Sequence, residues 1–268
     1  MIQTRGLAKS LATKALIVFV MVLAIQCTGA AQLSIDQLLK KVSETYQSAQ
    51  NYQISAEKDV EVGAVGEAHS LDGSRSYANF HQSSKFDINF AATAQSRRRL
   101  TVKDEKQETV IVDDGRTSWT YLSGKKQYKE EPSVSPGIAS QAANKVKTGT
   151  DILSEYQNLL VNRFRNLSGY ASSSTLEKDE RIKIGGEKKD CYHVRIQTAG
   201  GSHDLWIDKD SFLVWRSKDS TPTPQEGITL QTTVTVTLKA ADLNAKFEDG
   251  FFTFKPPEQA KKVDSIKL

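Results

Sequence analysis

Residues 109–128, TVIVDDGRTSWTYLSGKKQY, restrict the fold more than any other part of the chain. Residues 109–112 are a β-branched run, Asp113-Asp114-Gly115 supplies the left-handed backbone position of a tight hairpin, and residues 117–122 resume with Trp, Tyr and Thr. Ser123-Gly124-Lys125 then turns the chain again. The pattern predicts three short antiparallel strands. A meander of this kind cannot bury an apolar face alone, so the flanking sequence has to add strands and something to cover them.

The flanks hold both. Ser34-Ile35-Asp36-Gln37 has the form of a capping box, and Ile35, Leu38, Leu39, Val42, Tyr46 and Ala49 recur at helical spacing, which predicts an amphipathic helix ended by Asn51. Strand-like sequence follows at 52–62, where Gly63 and Gly66 are expected to mark a turn or bulge, and again at 68–71, 75–80, 85–90 and 99–103. Within 85–90, Phe86, Ile88 and Phe90 alternate with Asp87 and Asn89, as in a sheet with one buried face. Pro132, Pro136 and Gly137 break the pattern, and 139–148 is expected to be a connection or weak helix. A second amphipathic helix from Thr150 or Asp151 carries Ile152, Tyr156, Leu159, Leu160, Phe164 and Leu167 down one side. Further strands are expected at 175–184, 191–198, 204–207, 212–217, 228–238 and 251–254. Roughly ten antiparallel strands without βαβ alternation predict an α+β domain, one curved sheet or open barrel with helices inserted at its start and middle.

The first thirty-odd residues are set apart. Arg5, Lys9 and Lys14 flank an unbroken apolar run at 15–25, and Thr28-Gly29-Ala30-Ala31 offers small residues for cleavage. This is the layout of a secretory signal peptide, so 1–31 are expected to be removed and 32–268 to form a single exported domain. Leu23-Ala24-Ile25-Gln26-Cys27 loosely resembles a lipoprotein cleavage site, but Gln26 is too large for it, and lipid anchoring at Cys27 is not expected. Of 36 Lys plus Arg, the three in the signal leave with it, so 33 face 32 Asp plus Glu. A near-neutral domain gives no support for nucleic-acid binding. Arg97-Arg98-Arg99 is expected to be a solvated strand edge that deters aggregation. Without Cys27 the chain keeps one cysteine, Cys191, and no intrachain disulfide can form.

In this order the N-terminal helix, Val112-Asp113-Asp114-Gly115-Arg116-Thr117-Ser118-Trp119-Thr120-Tyr121, Leu205-Trp206-Ile207-Asp208-Lys209 and Phe252-Thr253-Phe254-Lys255-Pro256-Pro257 resemble the periplasmic lipoprotein-carrier (LolA-like) proteins. The resemblance implies an unclosed antiparallel β-barrel whose concave apolar face is lidded by helices and holds acyl chains. It further implies an envelope membrane-protein donor or acceptor. The same scaffold serves envelope regulators that bind a membrane-protein partner. Carriers place an Arg-Pro pair before the aromatic strand; here Gln82-Ser83-Ser84-Lys85 precede Phe86.

No catalytic constellation stands out. Cys191 and His193 share one strand face opposite Tyr192, Val194 and Ile196, which places them towards solvent or a covering segment rather than making a nucleophile or metal pair. Asp208-Lys209-Asp210-Ser211 lacks the third carboxylate, Gly and closing Glu of a calcium loop and reads as a plain turn. The expectation is a monomeric, non-catalytic protein without cofactor or metal. Its candidate ligand surface is apolar: Phe86, Ile88, Phe90, Trp119, Tyr121, Trp206 and Trp215 on strands, facing Leu39, Val42 and Tyr46 on the first helix.

Overall fold

The computed structural model describes residues 33–69, 75–77, 80–133, 148–225 and 228–266. Residues 1–31, expected to be the signal peptide, and most of the 139–148 connection lie outside this set. Ile35–Leu268 form one compact unit.

Among the described residues there are fourteen strands rather than ten: β1 Tyr52–His69, β2 Arg75–Tyr77, β3 Phe80–Ala92, β4 Arg98–Lys103, β5 Glu108–Asp113, β6 Thr117–Leu122, β7 Gln127–Pro132, β8 Ser174–Leu176, β9 Glu180–Ile184, β10 Glu187–Thr198, β11 Gly201–Asp208, β12 Val214–Gln225, β13 Ile228–Asp242 and β14 Lys261–Lys262. They form one sheet in the order β14-β7-β6-β5-β4-β3-β1-β13-β12-β11-β10-β8, with β2 on β1 and β9 on β10. Every strand pairing is antiparallel except the two-residue β14–β7 contact. The end strands do not pair with each other, so the sheet is open.

The central meander forms from β5 to β7 as its turn chemistry dictates. Gly115 takes φ +94°. Its amide donates to Asp113 Oδ1 at 2.9 Å, and the Arg116 and Thr117 amides both donate to Asp114 Oδ1 at 2.8 Å.

Elsewhere tertiary pairing overrides local punctuation. β1 runs straight through Gly63, because β13 pairs with it along one side and β3 along the other, and continues through Gly66, which still pairs with Ile228 of β13; its irregularity falls at Ser55/Ala56. Residues 175–184 split into β8 and β9, which pair with different parts of β10. β12 continues past Ser217 through Pro222 and Pro224, and residues 251–254 form a turn instead of a strand.

Two helices cover one face. α1, Ile35–Ser48, buries Leu38, Leu39, Val42, Ser43 and Tyr46. α2, Gly149–Leu160, is capped by Thr148, which accepts from the Asp151 amide while the Asp151 carboxylate accepts from the Thr148 amide. α2 stops at Leu160, short of the expected Leu167. Phe164 and Leu167 sit instead on two 3₁₀ turns, Asn162–Phe164 and Leu167–Ser173, where Asn, Ser and Gly disfavour a continuous helix. Gly149 is required by contact: a Cβ there would overlap Thr120 Oγ1 and lie 3.2 Å from Ile111 Cγ2. Gly149→Ala is expected to push α2 off the meander at a cost of about 1–3 kcal/mol, read as a lowered thermal midpoint. An unchanged midpoint would contradict this packing.

Candidate functional site: the inner face of the open sheet

Ladder register fixes which side chains share the helix-covered, inner face. Ile54, Ala56 and Lys58 of β1 stand opposite Phe90, Ile88 and Phe86 of β3, and Ala56 and Lys58 stand opposite Leu238 and Val236 of β13. Beneath α1, α2 and the 3₁₀ turns this face is packed solid. Leu39, Val42, Tyr46 and Ile88 are fully buried and Phe90 is 1 % exposed. Tyr46 packs against Phe164 at 4.9 Å between ring centroids, and its hydroxyl accepts from the Val214 amide at 3.2 Å. Gln157 Nε2 of α2 donates to the Tyr52 hydroxyl at 2.8 Å, and the Leu167 amide donates to Ser43 Oγ of α1 at 3.0 Å. The apolar cavity in this half, between Phe164, Leu167, Ile196 and Leu205, measures about 120 Å³. Ligand pockets are usually ~300–1,000 Å³, and this cavity is smaller.

The inner face continues beyond the helices. β1, β3, β12 and β13 run on as a four-stranded extension, and successive cross-strand rows read Ser84–Val60–Val234–Asp219, Gln82–Val62–Thr232–Thr221 and Phe80–Ala64–Leu230–Thr223. The reverse face of the same strands carries Asp59, Glu61, Lys85, Ser83, Thr235, Thr233 and Lys218. The extension is therefore apolar along the middle of one side and polar on the other, yet no helix among the described residues covers it. Val60, Val62, Leu230 and Val234 are half-buried, and Phe80 is 49 % exposed. From Phe86 to Phe80 the strip spans ~20 Å at ~3.3 Å per residue.

Charged groups mark the line where cover ends. Lys58 Nζ lies 5.7 Å from the Phe86 ring and 5.3 Å from the Tyr156 ring of α2. Burial, with Glu155 adding to it, pushes the Tyr156 phenol up to about 12, so it stays neutral. On the β12 side Asp219 accepts from Arg163 Nη1 at 2.6 Å and pairs with His203 Nδ1 at 2.8 Å.

The remaining candidate residues stand on the outer face. Trp119 and Tyr121 alternate with the inward Ser118 and Thr120, and both pack against Phe254 of the C-terminal segment at 6.3 Å. Trp206 joins Ile182, Ile184 and Cys191 in a separate outer cluster under β9, with Trp215 against it. Thus Leu39, Val42, Tyr46, Ile88 and Phe90 come together under the helices, Phe86 marks the edge of the cover, and the four outer aromatics are elsewhere.

Cys191 and His193 do face a covering segment. Both His193 ring nitrogens meet carboxylates, Nε2 with Asp204 Oδ1 at 2.9 Å and Nδ1 with Glu180 Oε1 at 3.1 Å, and the ring stacks on Trp206 at 4.6 Å. The Cys191 thiol contacts the Lys189 carbonyl at 3.7 Å, so the two do not form a dyad. Burial, reinforced by Asp208 and Asp190, pushes the thiol up to about 12. In the native protein at pH 8 it is expected to react with an aromatic disulfide reagent at least a hundredfold slower than free cysteine, and fully in urea. Cys191→Ser should retain the fold. Rapid native labelling would contradict this burial. Among the described residues, no three His, Cys, Asp or Glu are grouped to hold a metal ion.

Sequence reasoning missed Arg98. It is not on an exposed edge: β4 lies between β3 and β5, and Arg98 points inward beneath α2 at 1 % exposure. Its Nη2 donates to Asp113 Oδ2 at 2.8 Å and its Nη1 to Ser154 Oγ at 3.1 Å. The flanking arginines are also engaged, Arg99 with the Phe251 carbonyl and ring and Arg97 with the Phe252 ring.

Comparison with known proteins gives distant neighbours. An uncharacterized conserved protein from Thermus thermophilus matches at 11 % identity and TM-score 0.37, over 85 % of this chain and 97 % of that one. The Pseudomonas aeruginosa MucA/MucB complex matches at 16 % and 0.36 over 85 % of this chain, which spans 63 % of the length of that one. A putative outer membrane lipoprotein-sorting protein domain from Vibrio parahaemolyticus matches at 10 % and 0.28, over 80 % and 95 %. No curated protein matches. A family model described as "Predicted periplasmic protein (DUF2092)" matches residues 35–266, and the chain belongs to that family.

Proposed function

We propose that the protein is a periplasmic, non-catalytic binder and carrier of lipid or lipoprotein acyl chains, which it holds along the uncovered end of its inner sheet face. The observation that supports this reading is the apolar strip of Val60, Val62, Ala64, Leu230 and Val234 with a polar reverse side and no covering element among the described residues. Its ~20 Å length accommodates a chain that spans one leaflet, ~15 Å of a bilayer's hydrocarbon core. Burial is worth ~0.8 kcal/mol per methylene. An open strip shields about half of a sixteen-carbon chain, so binding is worth about 6 kcal/mol, a Kd of tens of micromolar. Full immersion in a membrane gains about twice that, so delivery to a bilayer is downhill.

A fluorescent acyl probe should bind delipidated protein saturably in that range. Val62→Asp and Leu230→Asp should each weaken it at least tenfold with little change in melting, while Trp119→Ala leaves it unaltered. Absence of saturable binding, or equal binding by all variants, would defeat the carrier reading. The solid packing under the helices favours a second reading, a partner-binding envelope module on the same scaffold.

A further inference from the structure

Beyond the helices the sheet has two lateral edges, and they are treated differently. β12 pairs with β11 only up to Ser220, so residues 221–225 have β13 on one side and nothing described on the other. That edge carries Pro222 and Pro224. A proline fits a ladder only where its missing amide would point away from the partner strand, so the two prolines remove two successive outward donors. Another chain cannot pair there.

The opposite edge is β3. It pairs with β4 only from Asp87 onward, so residues 80–86, Phe-His-Gln-Ser-Ser-Lys-Phe, have β1 on one side and no described strand on the other. This run has no proline and no register shift. Its one lysine does not guard the edge: Lys85 Nζ lies 3.0 Å from Glu57 and 3.7 Å from Asp59 on the polar face. The other edges are blunted. β9 is five residues long and alternates Glu, Arg and Lys with Ile, and β7 is capped by β14 at one end and Pro132 at the other.

An open groove of about 730 Å³ follows the β3 edge. It is lined by residues 82–86 of β3, by Asp59 and Glu61 on the polar face of β1 and by Asp104, Glu105 and Lys106 of the β4–β5 turn, so four carboxylates stand against Lys85 and Lys106. We propose that this edge is a docking site for an extended polypeptide segment of a partner protein, which adds to the sheet beside β3. Main-chain donors and acceptors that no described strand uses are chemistry that only another polypeptide backbone matches along its length. Period-two alternation sets the rest of the specificity. The segment's apolar residues fall on the side of Phe80 and Phe86, and its basic residues fall on the acidic side. The inference rests on main-chain groups and the proline asymmetry, independently of acyl binding.

The test is fluorescence anisotropy with a labelled octapeptide of alternating Lys and Val. It should bind saturably, and amide exchange of residues 80–86 should slow at least tenfold on binding. A same-composition peptide with four Lys followed by four Val should bind at least tenfold more weakly. N-methylation of every second amide, made in both phases, should abolish binding in the phase that faces β3. Of Ser83→Pro and Ser84→Pro, one removes an outward donor and the other a β1 ladder donor; the variant that keeps its melting temperature should lose the peptide. Equal binding of the blocked-order peptide, insensitivity to both N-methyl phases, or exchange protection confined to other residues would overturn the proposal. Loss of acyl binding with the peptide retained would sink the carrier reading alone.

Discussion

Asp113→Ala is expected to lower the unfolding free energy by about 3–5 kcal/mol, a third or more of what a domain of this kind commonly has. Asp113 is fully buried, and its carboxylate accepts from Arg98 Nη2, from Ser133 Oγ at 3.0 Å and from the Gly115 amide at 2.9 Å. Truncation leaves the Arg98 guanidinium inside the sheet with Ser154 as its remaining partner and an Nε that already has none. The hairpin also loses the bond that fixes Gly115. Removing both charges, as in Arg98→Met with Asp113→Leu, should recover most of the loss, because apolar residues of similar volume avoid the desolvation cost that the ion pair offsets. Urea denaturation of the two single variants and the double checks the coupling. A loss under about 1 kcal/mol for Asp113→Ala, or a double variant no better than the singles, would show that Arg98 finds other partners.

Phe90→Ala should cost about 3–5 kcal/mol while leaving the acyl affinity of the folded protein unaltered, and Phe86→Ala should do the reverse. The two side chains lie on the same face of β3, four residues apart. Phe90 is sealed under the cover, 6.1 Å from the Tyr52 ring. Phe86 is half-buried where the cover ends, beneath Lys58. Its truncation removes little packing, about 1 kcal/mol, but shortens the strip and unseats the lysine, so probe affinity should fall about fivefold or more. Thermal melts with and without probe separate the two effects. If Phe90→Ala weakens the probe more than Phe86→Ala does, chains enter beneath the helices, and the uncovered strip is not the site.

The parts of the fold written in local chemistry were readable. Asp113-Asp114-Gly115 dictates its hairpin, Phe86-Asp87-Ile88-Asn89-Phe90 gives away a half-buried strand, and the apolar spacing of α1 holds, whereas α2 turns Leu153, Tyr156 and Leu160 inward and leaves Ile152 and Leu159 at the margin of the core. Long-range pairing was not readable. Gly63 and Gly66 look like a turn, yet Gly63 sits mid-ladder with β13 and β3 on its two sides, and Gly66 still pairs with β13. Pro222 and Pro224 look like the end of a strand, yet occupy an edge where no donor is needed. Arg98 is indistinguishable in sequence from Arg97 and Arg99 until β4 pairs with β5 and places Asp113 directly opposite.

Strand alternation shows which residues share a face, but not which face receives the helices. The outer face has covers of its own, the C-terminal Phe254 over Trp119 and Tyr121, and β9 over Trp206, and these collect the large aromatics that composition alone assigns to a ligand surface. The strip itself is built from Val, Ala and Leu. Its signal lies in strand length beyond the helices, a quantity that only the assembled sheet defines.

The most direct measurement is photo-crosslinking with a sixteen-carbon fatty acid bearing a diazirine near its methyl end, followed by peptide mapping. Labelling is expected on Val60, Val62 and Phe86 and on Leu230 and Val234, and it should be competed away by unlabelled fatty acid. Labelling concentrated on Leu39, Val42 and Phe90, on the outer Trp119 and Trp206, or spread without competition would contradict an acyl site on the uncovered inner face.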